Sequence, residues 1–287
     1  MDILPGPHGV AGAGWLCEET RRPVPLHDCL ECARHRGRPA CPFPPTMLRA
    51  LAKSMEGDAE LVEAKALAKR AGVALLRVTS LLGCTRQAWY GLGGPPPLEW
   101  PSRHWSRLRG SIFHAALESL AGEETVAEAR LVASLEPFGV QAWIAGKVDH
   151  YDPATGQISD YKSLNSFGKK LANLGLPKQH HVAQLWIYGW LLGKSGYPYP
   201  AMGRLIYMDM GTVYACDVAM PDTELQAQVE ARIVEKARMI TEADAAGPAG
   251  DPLEAWACRY CGHADGCAFR LNGNATTAPD DSKTDVA

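Results

Sequence analysis

The segment from Gly146 to Ser163, GKVDHYDPATGQISDYKS, constrains this chain more than any other stretch. Two short runs flank Asp152-Pro153-Ala154-Thr155-Gly156, a cluster of turn residues, so the segment is expected to fold as a β-hairpin. With the turn centred between Ala154 and Thr155, Asp149 falls directly opposite Asp160. Cross-strand partners share a face about 5 Å apart at Cβ. Lys162, two residues beyond Asp160, shares that face. Two carboxylates that close repel each other unless a proton or a cation lies between them. A hard divalent ion with oxygen ligands, Mg2+ or Mn2+, answers the repulsion. Lys162 is then placed to orient a water or to stabilise charge developing on a phosphate. The plainer reading of the same residues is a solvated hairpin with Lys162 paired to one aspartate.

A length of 287 residues allows one or two domains, and 46% hydrophobic residues suffice for a core. The formal charge of −3 carries no global basic signature, so any contact with nucleic acid must be a local patch. No cationic segment followed by an apolar run opens the chain, and no apolar run is long enough to span a bilayer. The expectation is a cytoplasmic protein with no membrane contact. Nine cysteines in a reducing compartment favour metal or cluster ligation over disulfides.

Residues 1–45 are rich in Pro, Gly and Cys and hold Cys17, Cys29, Cys32 and Cys41. Cys29-Leu30-Glu31-Cys32 has the spacing that lets two thiolates reach one tetrahedral ion. A segment that buries little apolar surface would draw its folding energy from that metal, so a structural zinc module is expected here. His27 or His35 can replace Cys17 or Cys41 in the set. Residues 46–75 follow as a helical linker, divided near Gly57-Asp58. Strand and helix patterns then alternate through residues 76–270, the main α/β domain, and the small polar residues of 271–287 are expected to be a disordered tail.

Within the main domain, Thr79 or Ser80 is a candidate N-cap for a short helix carrying Cys84, Arg86, Trp89 and Tyr90. Residues 103–121 read as a helix. On it Arg103, Arg107 and Arg109 interleave with Trp105, a pattern that suits a phosphate backbone and a stacked base; three arginines on a helix are equally a solvated face. His114 and Glu118 share a face there. Residues 125–144 read as two strands joined around Glu136-Pro137. A short helix with Lys169 and Lys170 is expected after the hairpin. A longer helix covers about 178–194, with His181, Gln184 and Tyr188 along one polar stripe. A hairpin at 203–219 with a buried Cys216 and a long amphipathic helix at 221–243 complete the domain. Near its end Cys258, Cys261 and Cys267 supply three closely spaced thiolates. A closed four-ligand site needs one more, from Cys84, Cys216 or His263, with Cys84 the better candidate. Four cysteines hold zinc or an iron–sulfur cluster, and spacing does not choose between them.

Taken together, these residues resemble the RecB-type branch of the PD-(D/E)XK nuclease superfamily, and within it the iron–sulfur nucleases such as the CRISPR-adaptation exonucleases and the AddB nuclease domain. Gly110-Ser111-Ile112-Phe113-His114 fits the G-x-x-x-H helix of that family, and Gly146-Lys147-Val148-Asp149 fits its G-x-x-D strand. Asp160-Tyr161-Lys162 fits the (D/E)-x-K strand, and Gln184-Leu185-Trp186-Ile187-Tyr188 the Q-x-x-x-Y helix. Cys84 with Cys258, Cys261 and Cys267 fits the split cysteine pattern of the 4Fe-4S cluster.

The resemblance implies a restriction-endonuclease-like core, a central mixed β-sheet flanked by helices, beside the small N-terminal cysteine-rich module, which has no counterpart in the family pattern. It implies that His114, Asp149, Asp160 and the carbonyl of Tyr161 bind a catalytic Mg2+ or Mn2+ and that Lys162 positions the water. Gln184 and Tyr188 would organise the site and contact DNA. Cys84, Cys258, Cys261 and Cys267 would hold the cluster. The expected activity is metal-dependent hydrolysis of DNA, as an exonuclease on single strands or DNA ends, alongside other proteins of an adaptation or recombination complex. A non-catalytic DNA-binding or adaptor subunit is the competing expectation, and the retained acid-acid-lysine set weighs against it.

Overall fold

The computed structural model describes residues 15–17, 20, 22–35, 43–55, 59–93, 101–119, 122, 124–163, 175–208, 211–250, 258, 261–263 and 267. Their elements run β1 (Trp15–Leu16), β2 (Pro23–Val24), α1 (Leu26–His35), α2 (Pro45–Met55), α3 (Ala59–Ala71), β3 (Ala74–Arg77), α4 (Val78–Leu82), α5 (Thr85–Gly93) and α6 (Pro101–Glu118). Then follow β4 (Val126–Ser134), a 3-10 turn at Glu136–Phe138, β5 (Ala142–Asp152), β6 (Gln157–Ser163), α7 (Gln179–Lys194), β7 (Met202–Met208), β8 (Val213–Ala219) and α8 (Thr223–Thr241).

Strands β3 to β8 form one mixed sheet of six strands with helices packed against it, as the α/β expectation requires. The long strand β5 organises it. Along one edge β5 pairs antiparallel with β4. Along the other it pairs first with β3, in parallel, and then with β6, antiparallel. β6 continues in parallel to β7, and β7 turns back into β8. The β5–β6 register runs through His150↔Ser159, Tyr151↔Ile158 and Asp152↔Gln157, which is the register read from the sequence. Its turn is fastened by Asp152, whose carboxylate accepts from the Ala154 N–H at 2.9 Å and the Thr155 hydroxyl at 2.8 Å.

Helix α7 is apolar on almost every side and sinks into the core accordingly. Its Leu185, Leu191 and Leu192 are fully enclosed, with Ile144, Val148, Ile158 and Leu205 from the sheet. Two glycines let it approach. A Cβ on Gly146 would lie 2.7 Å from Leu191 Cδ1, and one on Gly203 would lie 2.5 Å from Leu185 Cδ2. Helix α8 starts at Asp222, whose side chain accepts from the Leu225 N–H at 2.9 Å, and buries Ile233, Ala237 and Ile240.

Several local expectations are corrected. Neither Thr79 nor Ser80 caps a helix: β3 feeds α4 directly at Val78, and Arg77, held extended by its pairing with Ala145, precedes the first turn. Cys84 lies between α4 and α5, with its carbonyl accepting from the Ala88 N–H at 3.0 Å. Strand β3 was not foreseen, and the second strand of the 125–144 region begins only at Ala142 and runs unbroken into the hairpin. The N-terminal segment buries more than its composition suggests. Cys29 and Cys32 sit on helix α1, and Trp15 and Phe43 are buried with Leu48 and Leu51 of α2. The Lys169–Lys170 helix, Cys41 and the tail from 271 lie outside the described residues.

Candidate active site

Beyond His150↔Ser159 the β5–β6 ladder stops, and a side chain takes over from the backbone. Asp149 Oδ2 accepts the Tyr161 N–H at 2.7 Å, holding the two strands at the spacing where Asp149 and Asp160 face each other. Asp149 is 8% exposed and Asp160 only 1%. Lys162 Nζ reaches Asp160 Oδ2 at 2.6 Å. Asp160 Oδ1 is sealed from solvent and has no hydrogen-bond partner among the described residues. Burial, and then the charge of Asp160, push the Asp149 carboxyl well above the usual carboxylate range, against the pull of His114 and Lys162.

His114, near the end of α6, brings the third group. Its Nδ1 lies 2.6 Å from Glu128 Oε1 and 3.4 Å from Asp149 Oδ1. Burial alone would lower the His114 pKa, but the Glu128 hydrogen bond and the charges of Asp149, Glu128 and Asp160 raise it on balance. Its expected helical neighbour, Glu118, is exposed on the last turn of α6.

Glu128 is the member that reading the sequence missed. It lies on β4 between Ala127↔His150 and Ala129↔Val148, so it falls across from Asp149. Its φ of 50° is the left-handed conformation, unique to it among the described non-glycine residues. Its Oε2 takes an ion pair from Lys147 at 2.8 Å. Burial would raise its pKa, yet the hydrogen bonds from His114 and Lys147 hold it below the usual value. One ligand atom each from His114, Glu128 and Asp149 fall within 4.8 Å of one another. With the sealed, unpaired oxygen of Asp160 alongside, this donor set of carboxylates and one imidazole fits a hard divalent cation.

The polar stripe of α7 runs along the same place. Gln184 Nε2 donates to the Tyr188 hydroxyl at 2.9 Å, and both residues are buried. Burial, followed by the charges of Asp160 and Asp149, raises the Tyr188 pKa far above its ordinary value, so the phenol keeps its proton.

The C-terminal cysteines also return to Cys84. Burial pushes the Cys261 thiol up, and Cys84, Cys267 and Cys258 add to the effect against a backbone hydrogen bond from His263. Cys216 stands apart, buried on β8 opposite Leu205, and His263 stacks on Tyr90 at 4.7 Å between ring centroids. Of the N-terminal thiols, Cys17, Cys29 and Cys32 are half-buried and form no disulfide among the described residues.

The fold is similar to that of the crystal structure of SSO0001, at 21% identity and a TM-score of 0.50, over 78% of this chain and 95% of that one. The crystal structure of a phage-related exonuclease from Haemophilus somnus 129PT aligns at 13% identity and a TM-score of 0.39, over 59% of this chain and 94% of that one. No curated protein matches the chain. The family model of the PD-(D/E)XK nuclease superfamily matches residues 63–268, a span that takes in every strand of the six-stranded sheet, the Asp149–Asp160–Lys162 hairpin and the returning cysteines. This chain belongs to the PD-(D/E)XK nuclease superfamily.

Proposed function

We propose that the protein is a metal-dependent deoxyribonuclease acting on single-stranded DNA or DNA ends. The observation that carries the reading is the buried Asp149–Asp160 pair, with one oxygen of Asp160 unpaired and Lys162 2.6 Å from the other. Two buried carboxylates this close cost free energy in an isolated fold, and a divalent ion turns that cost into binding.

His114, Asp149, Asp160 and the carbonyl of Tyr161 would hold Mg2+ or Mn2+, with Glu128 adjoining. When bound, such an ion activates water and neutralises charge building on the phosphate. Lys162 orients the attacking water from its place beside Asp160. Glu128 fixes the His114 ring through Nδ1 and is itself anchored by Lys147. Tyr188, held protonated, offers its hydroxyl as a donor at the edge of the site, and Gln184 steers that hydroxyl. Cys84, Cys258, Cys261 and Cys267 would hold a 4Fe-4S cluster that clamps α5 to the C-terminal segment. Cys17, Cys29 and Cys32, with Cys41, would hold zinc. The resemblance supports a role in CRISPR adaptation, recombination and repair, or phage DNA processing, where other proteins of an adaptation or recombination complex would be its partners.

The test uses anaerobically purified protein with Mn2+ on matched linear and circular single-stranded DNA, and on RNA. Loss of the linear DNA with the circle and the RNA spared supports the reading. Cleavage of RNA alone, or of nothing, overturns it. Iron and zinc analysis of the same preparation, repeated on Cys84→Ser, reports on the cysteine sites: iron is expected in the wild type and absent in the variant.

A further inference from the structure

The polar stripe of α7 has a member that the reading above leaves unused. His181 lies one turn before Gln184, at the end of the stripe nearest Lys162. Beneath it is Tyr207, which pairs with Lys162 in the β6–β7 register and is 1% exposed. The Tyr207 hydroxyl has two hydrogen-bond neighbours among the described residues. The Lys178 N–H donates to it at 3.2 Å, and His181 Nδ1 lies 3.0 Å away.

That arrangement fixes the imidazole. Having accepted from Lys178, the phenol has one proton left to give, and His181 Nδ1 is the acceptor in reach. The proton of the neutral ring therefore sits on Nε2. His181 is half-buried, and its Nε2 has no hydrogen-bond partner among the described residues. Burial, with the positive charges of Lys162, His180 and Lys178, lowers the His181 pKa to about 2, so the ring stays neutral near pH 7. A fixed, uncharged N–H donor thus stands in a neighbourhood of cations beside the lysine of the carboxylate site. Such a setting suits an anionic oxygen.

We propose that His181 contacts the substrate: Nε2–H donates to a non-bridging oxygen of the phosphodiester adjoining the one that Lys162 faces, and Tyr207 holds the tautomer that makes this donation available. The inference rests on the nuclease reading and adds a strand-positioning contact to it.

The experiment measures binding of a single-stranded oligonucleotide by fluorescence anisotropy in Ca2+, with the full-length protein. It compares wild type, His181→Ala, His181→Asn and Tyr207→Phe. His181→Ala should raise Kd about tenfold, the usual effect of losing one hydrogen bond to a charged group. His181→Asn, which restores a neutral side-chain donor, should recover most of the loss. Tyr207→Phe should fall between, and imidazole 15N shifts should report a protonated Nε2 in the wild type and a tautomer mixture in Tyr207→Phe. In Mn2+, His181→Ala should raise KM more than it lowers kcat. Wild-type affinity in His181→Ala, or His181→Asn no better than His181→Ala, overturns the contact while leaving the nuclease reading intact. A wild-type protein that neither binds nor cleaves DNA overturns the nuclease reading, and the contact with it.

Discussion

At Asp149 the native protein holds a carboxyl whose pKa is raised by burial and by Asp160, and at His114 an imidazole whose pKa is raised by its acidic neighbours. A ligand must lose its proton to bind a metal, so both shifts make metal affinity depend on pH. Mn2+ affinity, measured by titration calorimetry across buffers, should strengthen as pH rises through these two pKa values, with protons released on binding. The same residues set stability without metal. A carboxyl whose folded pKa lies above its unfolded value contributes stability below the unfolded value and loses it as pH rises through the folded one. Burial is the larger cause of that shift and repulsion by Asp160 the next, and Asp160→Asn removes the repulsion. In EDTA at neutral pH it should therefore raise Tm, and it should abolish the further rise that Mn2+ gives the wild type. Asp149, Asp160 and Lys162 were legible in the sequence because a tight turn fixes the register of a hairpin and hence which side chains meet. Glu128 was not, because a Glu two residues from Arg130 reads as the solvated face of a strand. Its role depends on the pairing of β4 with β5, across a connection whose register no local signal sets.

Among the elements, α7 decides how the site is assembled, because its buried side chains fix where Gln184, Tyr188 and His181 stand. The glycine of the G-x-x-D segment has its explanation here. Gly146 lies where Leu191, Tyr188 and Val78 leave no room for a side chain. Gly146→Val should cost about 1–3 kcal/mol through overpacking, read as a lower midpoint in urea with an unchanged slope. Helices α7 and α8 and the hairpin β7–β8 were legible as long periodic or alternating runs, and their observed bounds differ from the expected ones by a residue or two. Strand β3 escaped because Ala74-Leu75-Leu76-Arg77 is too short for a period. It is a strand only because β5 offers it a parallel edge.

Across the whole molecule, residues distant in sequence are tied together by one buried cation. Arg86 on α5 donates from Nη1 to the carbonyls of Ala246 and Pro248, each at 2.9 Å, and its guanidinium lies 5.7 Å from the Trp89 ring centroid and 5.4 Å from that of Tyr90. Tyr90 in turn stacks on His263, beside Cys261. Arg86→Met keeps much of the bulk but strands two carbonyls, at a cost of about 1–3 kcal/mol for each one left unsatisfied. The variant should unfold at lower temperature and, with the proposed cluster on the neighbouring cysteines, retain less iron after anaerobic purification than the wild type. That the two ends of the main domain would meet was legible from the split cysteines; the arginine that fastens them was not, since its partners are backbone atoms with no signature of their own. The claim on which the rest depends is that the hairpin carboxylates and lysine cut DNA with a divalent ion. The measurement that bears on it most directly is single-turnover cleavage of end-labelled single-stranded DNA in Mn2+ by wild type, Asp160→Ala and Lys162→Ala, each shown to be folded by circular dichroism. Cleavage by the wild type, lost in EDTA and in both variants, is the expected result. Equal cleavage by wild type and Asp160→Ala would contradict it.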